Sequence, residues 1–184
     1  MSQIVLSGDT SGAITIAAPA IAGTNTLTLP AKTGTVMVSG NMPTFSVGFG
    51  GSQTINNGAT SKIQFGTVVW DTANCFDAVT NYRFTPNVAG YYQLNASVRM
   101  SGGTSGGGAE SFLAIYQNNS ALYRGTNSVG TSSSYMTLSC SGIAYCNGTT
   151  DYIEIFVYNN TGSNQTITSN TSISWFNGCL LRTA

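Results

Sequence analysis

Histidine is missing from all 184 residues, and with it go the commonest general base, the usual metal ligand and the nucleophile pairs built on Ser/His or Cys/His. Charge is nearly missing too. Six Lys+Arg and six Asp+Glu make up 7% of the chain, with a formal net charge of zero. Without a Lys/Arg cluster, the electrostatic term that dominates binding to phosphate backbones and anionic lipid is absent, which argues against nucleic acid and membrane as partners. The four cysteines, Cys75, Cys140, Cys146 and Cys179, include no closely spaced pair of the kind zinc requires. Cys140 and Cys146 share a parity in an alternating segment; on one straight strand they would lie about 20 Å apart, beyond disulfide reach. The most apolar run, residues 13–22, is mostly Ala and is interrupted by Pro19, and Met1-Ser2-Gln3 carries no positive charge. Neither a signal peptide nor a membrane helix fits, so a cytosolic protein, or one released by cell lysis, is expected.

What the chain does contain is 41% hydrophobic residues, nine Tyr, eight Phe, and Ser, Thr and Asn outnumbering the charged residues about fivefold. Disorder needs low hydrophobicity and high net charge, and neither holds. The six Asn-x-Ser/Thr sequons, at Asn95, Asn118, Asn147, Asn159, Asn164 and Asn170, are what so Asn-, Ser- and Thr-rich a chain generates by chance. No stretch repeats its apolar residues at three and four, whereas alternation is widespread. Across residues 90–100, Tyr92, Leu94, Ala96, Val98 and Met100 form one face and Gln93, Asn95, Ser97 and Arg99 the other. Residues 110–117, 134–146, 152–158 and 171–181 alternate likewise, separated by turn-rich stretches at 101–108, 118–120, 125–133, 147–150 and 159–164. Many strands at regular spacing imply an all-β sandwich or barrel.

Catalytic constellations are hard to build from these residues. Asp151 and Glu154 have opposite parity and would point to opposite faces; both read as solvated acids near strand ends. The Gly-rich run 101–108 is followed by a strand pattern and has no Lys nearby, so it is a loop and no phosphate cradle. The aromatics Tyr91, Tyr92, Tyr116, Tyr135, Tyr145, Tyr152, Tyr158, Trp70 and Trp175 could form a carbohydrate platform, but their strand positions favour core or subunit interface. No catalytic residue, metal ligand or cofactor is assigned.

Residues 7–40 stand apart, with one acid, one base and no aromatic ring. They hold an imperfect repeat, in which Ile14-Thr15-Ile16 precedes Pro19-Ala20 and Gly23, and Leu27-Thr28-Leu29 precedes Pro30-Ala31 and Gly34. Each unit reads as a three-residue strand, a Pro-Ala corner and a Gly turn. Strands so short are unstable alone, so they are expected to borrow partners from sister chains or from another protein. The boundary to the main domain falls near residues 40–43, which gives a docking segment at 1–41, with Ile14, Ile16, Leu27, Leu29, Val36 and Val38 as anchors, and a β domain at 42–184.

Within that domain, Phe84-Thr85-Pro86-Asn87-Val88-Ala89-Gly90-Tyr91-Tyr92 resembles the F-x-P-x-x-x-G-x-Y motif of the C1q/TNF-like jelly-roll family. Asn74-Cys75-Phe76-Asp77 resembles its N-x-x-Y-D turn with Phe in place of Tyr, Asp151-Tyr152-Ile153-Glu154-Ile155 its D-x-V-x-L strand, and the run from Ser174 through Trp175, Phe176, Gly178, Leu180 and Leu181 its closing strand. The four motifs occur in the family's order. The resemblance implies a ten-stranded jelly roll assembling as a threefold homotrimer; the collagen stalk of secreted members is absent, since no Gly-X-Y period exists. The opening string GDTSGAITIAAPAIAGTNTLTLP resembles short β segments of tailed-bacteriophage virion proteins that precede a trimeric head domain.

Together these resemblances imply a non-enzymatic, homotrimeric protein on the surface of a phage virion, assembled in the host cytoplasm and released by lysis. With no shaft between segment and knob, a head-decoration (cement) protein docked on the major capsid protein comes first. A short tail fibre, attached to tail proteins and recognising a glycan on the host surface, is the alternative. A soluble carbohydrate-binding lectin is third, with loops 101–108 and 125–133, around Gly103, Gly107, Asn127 and Ser132, as its binding surface.

Overall fold

The computed structural model describes residues 3–21, 23–28, 31, 33–34, 36–101, 110–125 and 135–184. The chain divides into two compact units, Met1–Gly34 and Thr35–Ala184.

The first unit holds a hairpin. Strand β1 (Gln3–Ser7) pairs antiparallel with β2 (Ala13–Ala17) in the register Ile4 to Ile16 and Leu6 to Ile14, and the Gly8 N–H closes the turn onto the Gly12 carbonyl at 3.0 Å. Gly12 has φ +78°, a left-handed conformation that glycine adopts without a Cβ clash. This corrects the sequence reading of the repeat. Ile14-Thr15-Ile16 finds its strand partner within its own chain, and Leu27-Thr28 is not strand. Leu29 and Pro30 lie outside the described residues.

The second unit is a sandwich of two antiparallel sheets. In chain order its strands are β3 (Thr44–Gly48), β4 (Thr54–Ile55), β5 (Ala59–Lys62), β6 (Thr67–Asp71), β7 (Phe76–Asp77), β8 (Arg83–Phe84), β9 (Gly90–Ser101), β10 (Phe112–Gln117), β11 (Ser120–Arg124), β12 (Tyr135–Cys146), β13 (Ile153–Asn159), β14 (Gln165–Ile167) and β15 (Trp175–Thr183). One sheet runs β4-β14-β9-β15-β3-β6, with β12 paired along the whole of β9 opposite β15; the other runs β11-β10-β13-β8-β7, with β5 also on β13. A 3-10 turn, Ser39–Asn41, precedes β3, and Met37 just before it is half-buried against the core.

The alternation in the sequence becomes the two faces of these sheets. On β12, every second residue from Met136 to Cys140, then Ala144 and Cys146, is buried, and on β9 Tyr92, Leu94, Ala96, Val98 and Met100 are buried. They meet Leu113, Ile115, Ile153, Ile155 and Val157 of the facing sheet in one core. The last strand begins at Trp175, later than its apolar pattern suggests, because residues 171–174 form a turn held by the Ile173 and Ser174 N–H groups donating to the Asn170 carbonyl. Between β10 and β11 the two-residue loop Asn118-Asn119 has positive φ at both positions, the geometry that lets two antiparallel strands twist into a tight hairpin.

Candidate interaction surfaces

Most of the family-like motif positions converge on one aromatic cluster. Phe45 of β3 stacks on Phe84 at 4.2 Å and on Phe76 at 5.5 Å, and meets Phe176 edge-on at 4.8 Å; Phe84 in turn meets Tyr92 at 5.3 Å. All five are buried. The Tyr92 hydroxyl donates to the Val88 carbonyl at 2.7 Å, which satisfies its polar end inside the core, and burial raises its pKa. Pro86, Gly90, Gly178 and Leu180 are buried around this cluster. A Cβ on Gly178 would sit 2.8 Å from both Leu94 and Phe45, so a side chain has no room there. These motif residues build the core.

Asp77 and Asp151 instead fix turns. Asp77 accepts from the N–H groups of Val79, Thr80 and Asn81 and from the Asn81 amide. Asp151 accepts from the Asn118 amide at 2.8 Å and from the Asn147 N–H at 2.9 Å, tying the β10–β11 hairpin to the start of β13. Glu154 corrects the reading of both acids as solvated. It is 5% exposed, on the outward face of β13, and accepts from Lys62 of β5 at 3.0 Å. Around it that face carries Tyr116 packed at a tilt against Phe156 at 4.3 Å and Phe112 likewise against Tyr158 at 5.2 Å, with the Arg124 guanidinium 4.5 Å over Phe112. An aromatic layer thus covers the outside of the smaller sheet and desolvates the carboxylate.

The four thiols are free; Cys75, Cys140 and Cys146 are buried and Cys179 is exposed. Burial pushes the Cys146 thiol up to about 12 and raises those of Cys75 and Cys140, which removes the thiolate that nucleophilic chemistry needs. Among the described residues no group of three or more His, Cys, Asp or Glu side chains is placed to hold a metal.

The larger sheet's outward face is different. Its register aligns Ser141, Asn95, Asn177, Ser46 and Trp70 in one row across five strands. Gln93 donates to Asn95 and Asn95 to Asn177, at 3.3 and 3.2 Å, forming an amide chain along the middle. Trp175, the motif residue that leaves the core, lies on this face and lines an open hollow of about 400 Å³ with Asn95, Ser139, Ser141 and Arg124. Large apolar side chains stand exposed toward its margins: Val69 and Trp70 on β6, Ile143 and Tyr145 on β12, and Leu181 where β15 bulges. Of the aromatics picked from the sequence, Tyr92 alone is in the core cluster; Tyr91, Tyr135 and Tyr145 belong to this outward face, and Arg83 stacks 4.4 Å over Tyr152.

The docking anchors are equally uncovered. Ile14, Ile16, Leu27, Val36 and Val38 are each more than half exposed, as are Ile4 and Leu6, which sequence reasoning missed. The signal for β1 was present as the short β-branched and apolar run Ile4-Val5-Leu6 ahead of the Gly8-Asp9 turn. Gly103, Gly107, Asn127 and Ser132, the candidate loop positions, lie outside the described residues, as does the anchor Leu29.

No family model matches the sequence, and no curated protein matches it. Solved structures do match. Murine APRIL at pH 8.0 superposes with a TM-score of 0.59 at 11% identity, covering 76% of this chain and 99% of that one. The globular domain of zebrafish complement 1qA gives 0.55 at 18%, covering 77% and 99%, and Eiger TNF from S. frugiperda gives 0.56 at 9%, covering 78% and 93%. The chain is therefore an all-β protein with a C1q/TNF-like jelly-roll fold.

Proposed function

We propose that this C1q/TNF-like jelly roll is the knob of a non-enzymatic, homotrimeric structural protein of a tailed-phage particle, a head-decoration protein docked through its N-terminal segment. The observation that carries the reading is the pairing, in one chain, of an N-terminal unit resembling virion-protein β segments with a knob whose larger sheet exposes Trp70, Ile143, Tyr145 and Leu181 on its outward face. Apolar side chains at both margins of that face support self-association of knobs. The exposed Leu27 and Val36, 83% and 74% accessible, support docking of the N-terminal segment on a neighbouring protein.

A tail-fibre role is the second reading. The hollow beside Trp175, lined by Asn95, Ser139 and Ser141, combines an aromatic side chain with polar residues that suit a sugar of the host surface. Cryo-electron microscopy of the intact particle separates the two: density on the capsid lattice is expected, density at the tail moves the assignment to the fibre, and absence from the particle overturns both. Replacing Leu27 and Val36 together by Asp should leave a folded knob that no longer co-sediments with particles. Unchanged occupancy would sink the docking role of this segment.

A further inference from the structure

Three asparagines are followed directly by glycine: Asn57, Asn147 and Asn177. A glycine nitrogen has no Cβ beside it to hinder attack on the preceding side-chain amide, so each pair holds the atoms needed to close a cyclic imide with loss of ammonia. The fold separates the three. Gly58 donates its N–H to the Asn159 carbonyl at 2.7 Å, and Gly178 lies in the ladder of β15 between Leu94 of β9 and Phe45 of β3, so both nitrogens are held. The Gly148 N–H has no acceptor among the described residues.

The amide that Gly148 faces is also unlike the other two. Asn147 Oδ1 accepts from the N–H groups of Thr149 and Thr150 at 2.9 Å each, and from the Asp151 N–H and the Thr149 hydroxyl at 3.1 Å each. Its Nδ2 donates to Thr150 Oγ1 at 2.7 Å. Four donors converging on one carbonyl oxygen is the arrangement that stabilises negative charge developing there. We propose that Asn147 is a self-modification site, deamidating through a succinimide closed by the Gly148 nitrogen, with Oδ1 seated in this oxyanion hole. Hydroxide takes the Gly148 N–H proton, the nitrogen bonds to Cγ, and the negative charge passes to Oδ1. Collapse of that intermediate breaks the bond from Cγ to Nδ2 and expels ammonia, which takes its proton from water. Water then adds to either ring carbonyl and opens the ring to aspartate or isoaspartate at position 147. An aspartate carboxylate keeps the same four donors, whereas an isoaspartate lengthens the main chain by one carbon beside Gly148, which packs on the Val88–Ala89 backbone too closely to admit a Cβ. The isoaspartate form therefore loosens the turn through which Asp151 ties the β10–β11 hairpin to β13. The inference is independent of the oligomer and of any particle.

Full-length protein is incubated at mildly alkaline pH in water enriched in heavy oxygen, which marks every ring opening, and chymotryptic peptides are read by mass spectrometry, with a urea-unfolded sample in parallel. Folded protein should take up label at Asn147 at least about ten-fold faster than at Asn57 or Asn177, a small part of what oxyanion donors supply in enzymes. Unfolding should bring the three rates together. Thr149→Val removes the hydroxyl donor at an exposed position and should slow Asn147 alone by roughly two- to ten-fold, the worth of one hydrogen bond, while Thr149→Ser restores the rate. Circular dichroism checks that each variant is folded; should Thr149→Val unfold, the three asparagines of the wild-type protein still decide. Folded Asn147 modifying no faster than the other two, the same ranking in urea, or a folded Thr149→Val with an unchanged rate overturns the proposal.

Discussion

Asp77 is a residue whose motif position turns out to serve one turn. Hydrogen bonds from the Thr80 and Val79 N–H groups, with further bonds from Asn81, hold its carboxyl well below the usual carboxylate range. A depressed folded-state pKa means that the stabilisation is complete above the unfolded value near 4 and is lost as pH falls through the folded value. Asp77→Ala should therefore cost about 1–2 kcal/mol at neutral pH, the worth of lost capping hydrogen bonds, measured by urea unfolding. The gap between wild type and variant should begin to narrow below about pH 4. A gap that stays constant down to pH 2 would show that the charge contributes nothing.

At the scale of elements, β13 is a strand with two covered faces. Ile153, Ile155 and Val157 point into the sandwich, while outside Glu154 is buried beside the aromatic layer to which Phe156 belongs. A carboxylate so covered depends on Lys62, whose side chain keeps 32% of its exposure, so solvent screens the pair in part. Lys62→Met alone should destabilise by about 1–3 kcal/mol, because it leaves the buried charge unpaired. Lys62→Met with Glu154→Met should recover most of that loss, since an apolar pair suits this surface. A double-mutant cycle in chemical denaturation measures the coupling; additive losses would show that the ion pair is not what holds Glu154.

For the whole molecule, the exposed apolar side chains at the margins of the larger sheet, Trp70 and Val69 at one edge and Ile143 and Tyr145 at the other, set the expectation of association. Patches at opposite edges of one sheet suit a head-to-tail contact, which closes as a ring. Light scattering should give three times the 19.1 kDa chain mass at micromolar concentration. Trp70→Asp with Tyr145→Asp should convert the protein to folded monomer with an unchanged far-ultraviolet circular dichroism spectrum. A variant that remains trimeric would place the interface elsewhere.

Alternation by itself determined the sheets. Once Tyr92, Leu94, Ala96, Val98 and Met100 share a parity, only a strand puts them on one side, and the same holds for Met136, Leu138 and Cys140. Local chemistry likewise marked the Asn118-Asn119 turn and the start of the opening unit's second strand, because positive φ and short-range pattern are written within a few residues. Tertiary structure decided what no local window contains. Strands of two or three residues, such as β8 and β14, exist through partners far along the chain, Phe84 with Ile153 and Ile167 with Met100. Glu154 read as a surface acid because Tyr116 and Lys62, which cover and pair with it, come from two distant strands that only the folded sheet brings beside it. The outward row from Ser141 to Trp70 was invisible for the same reason: neighbours across a sheet are fixed by register, and register is set by the packing of the whole sandwich.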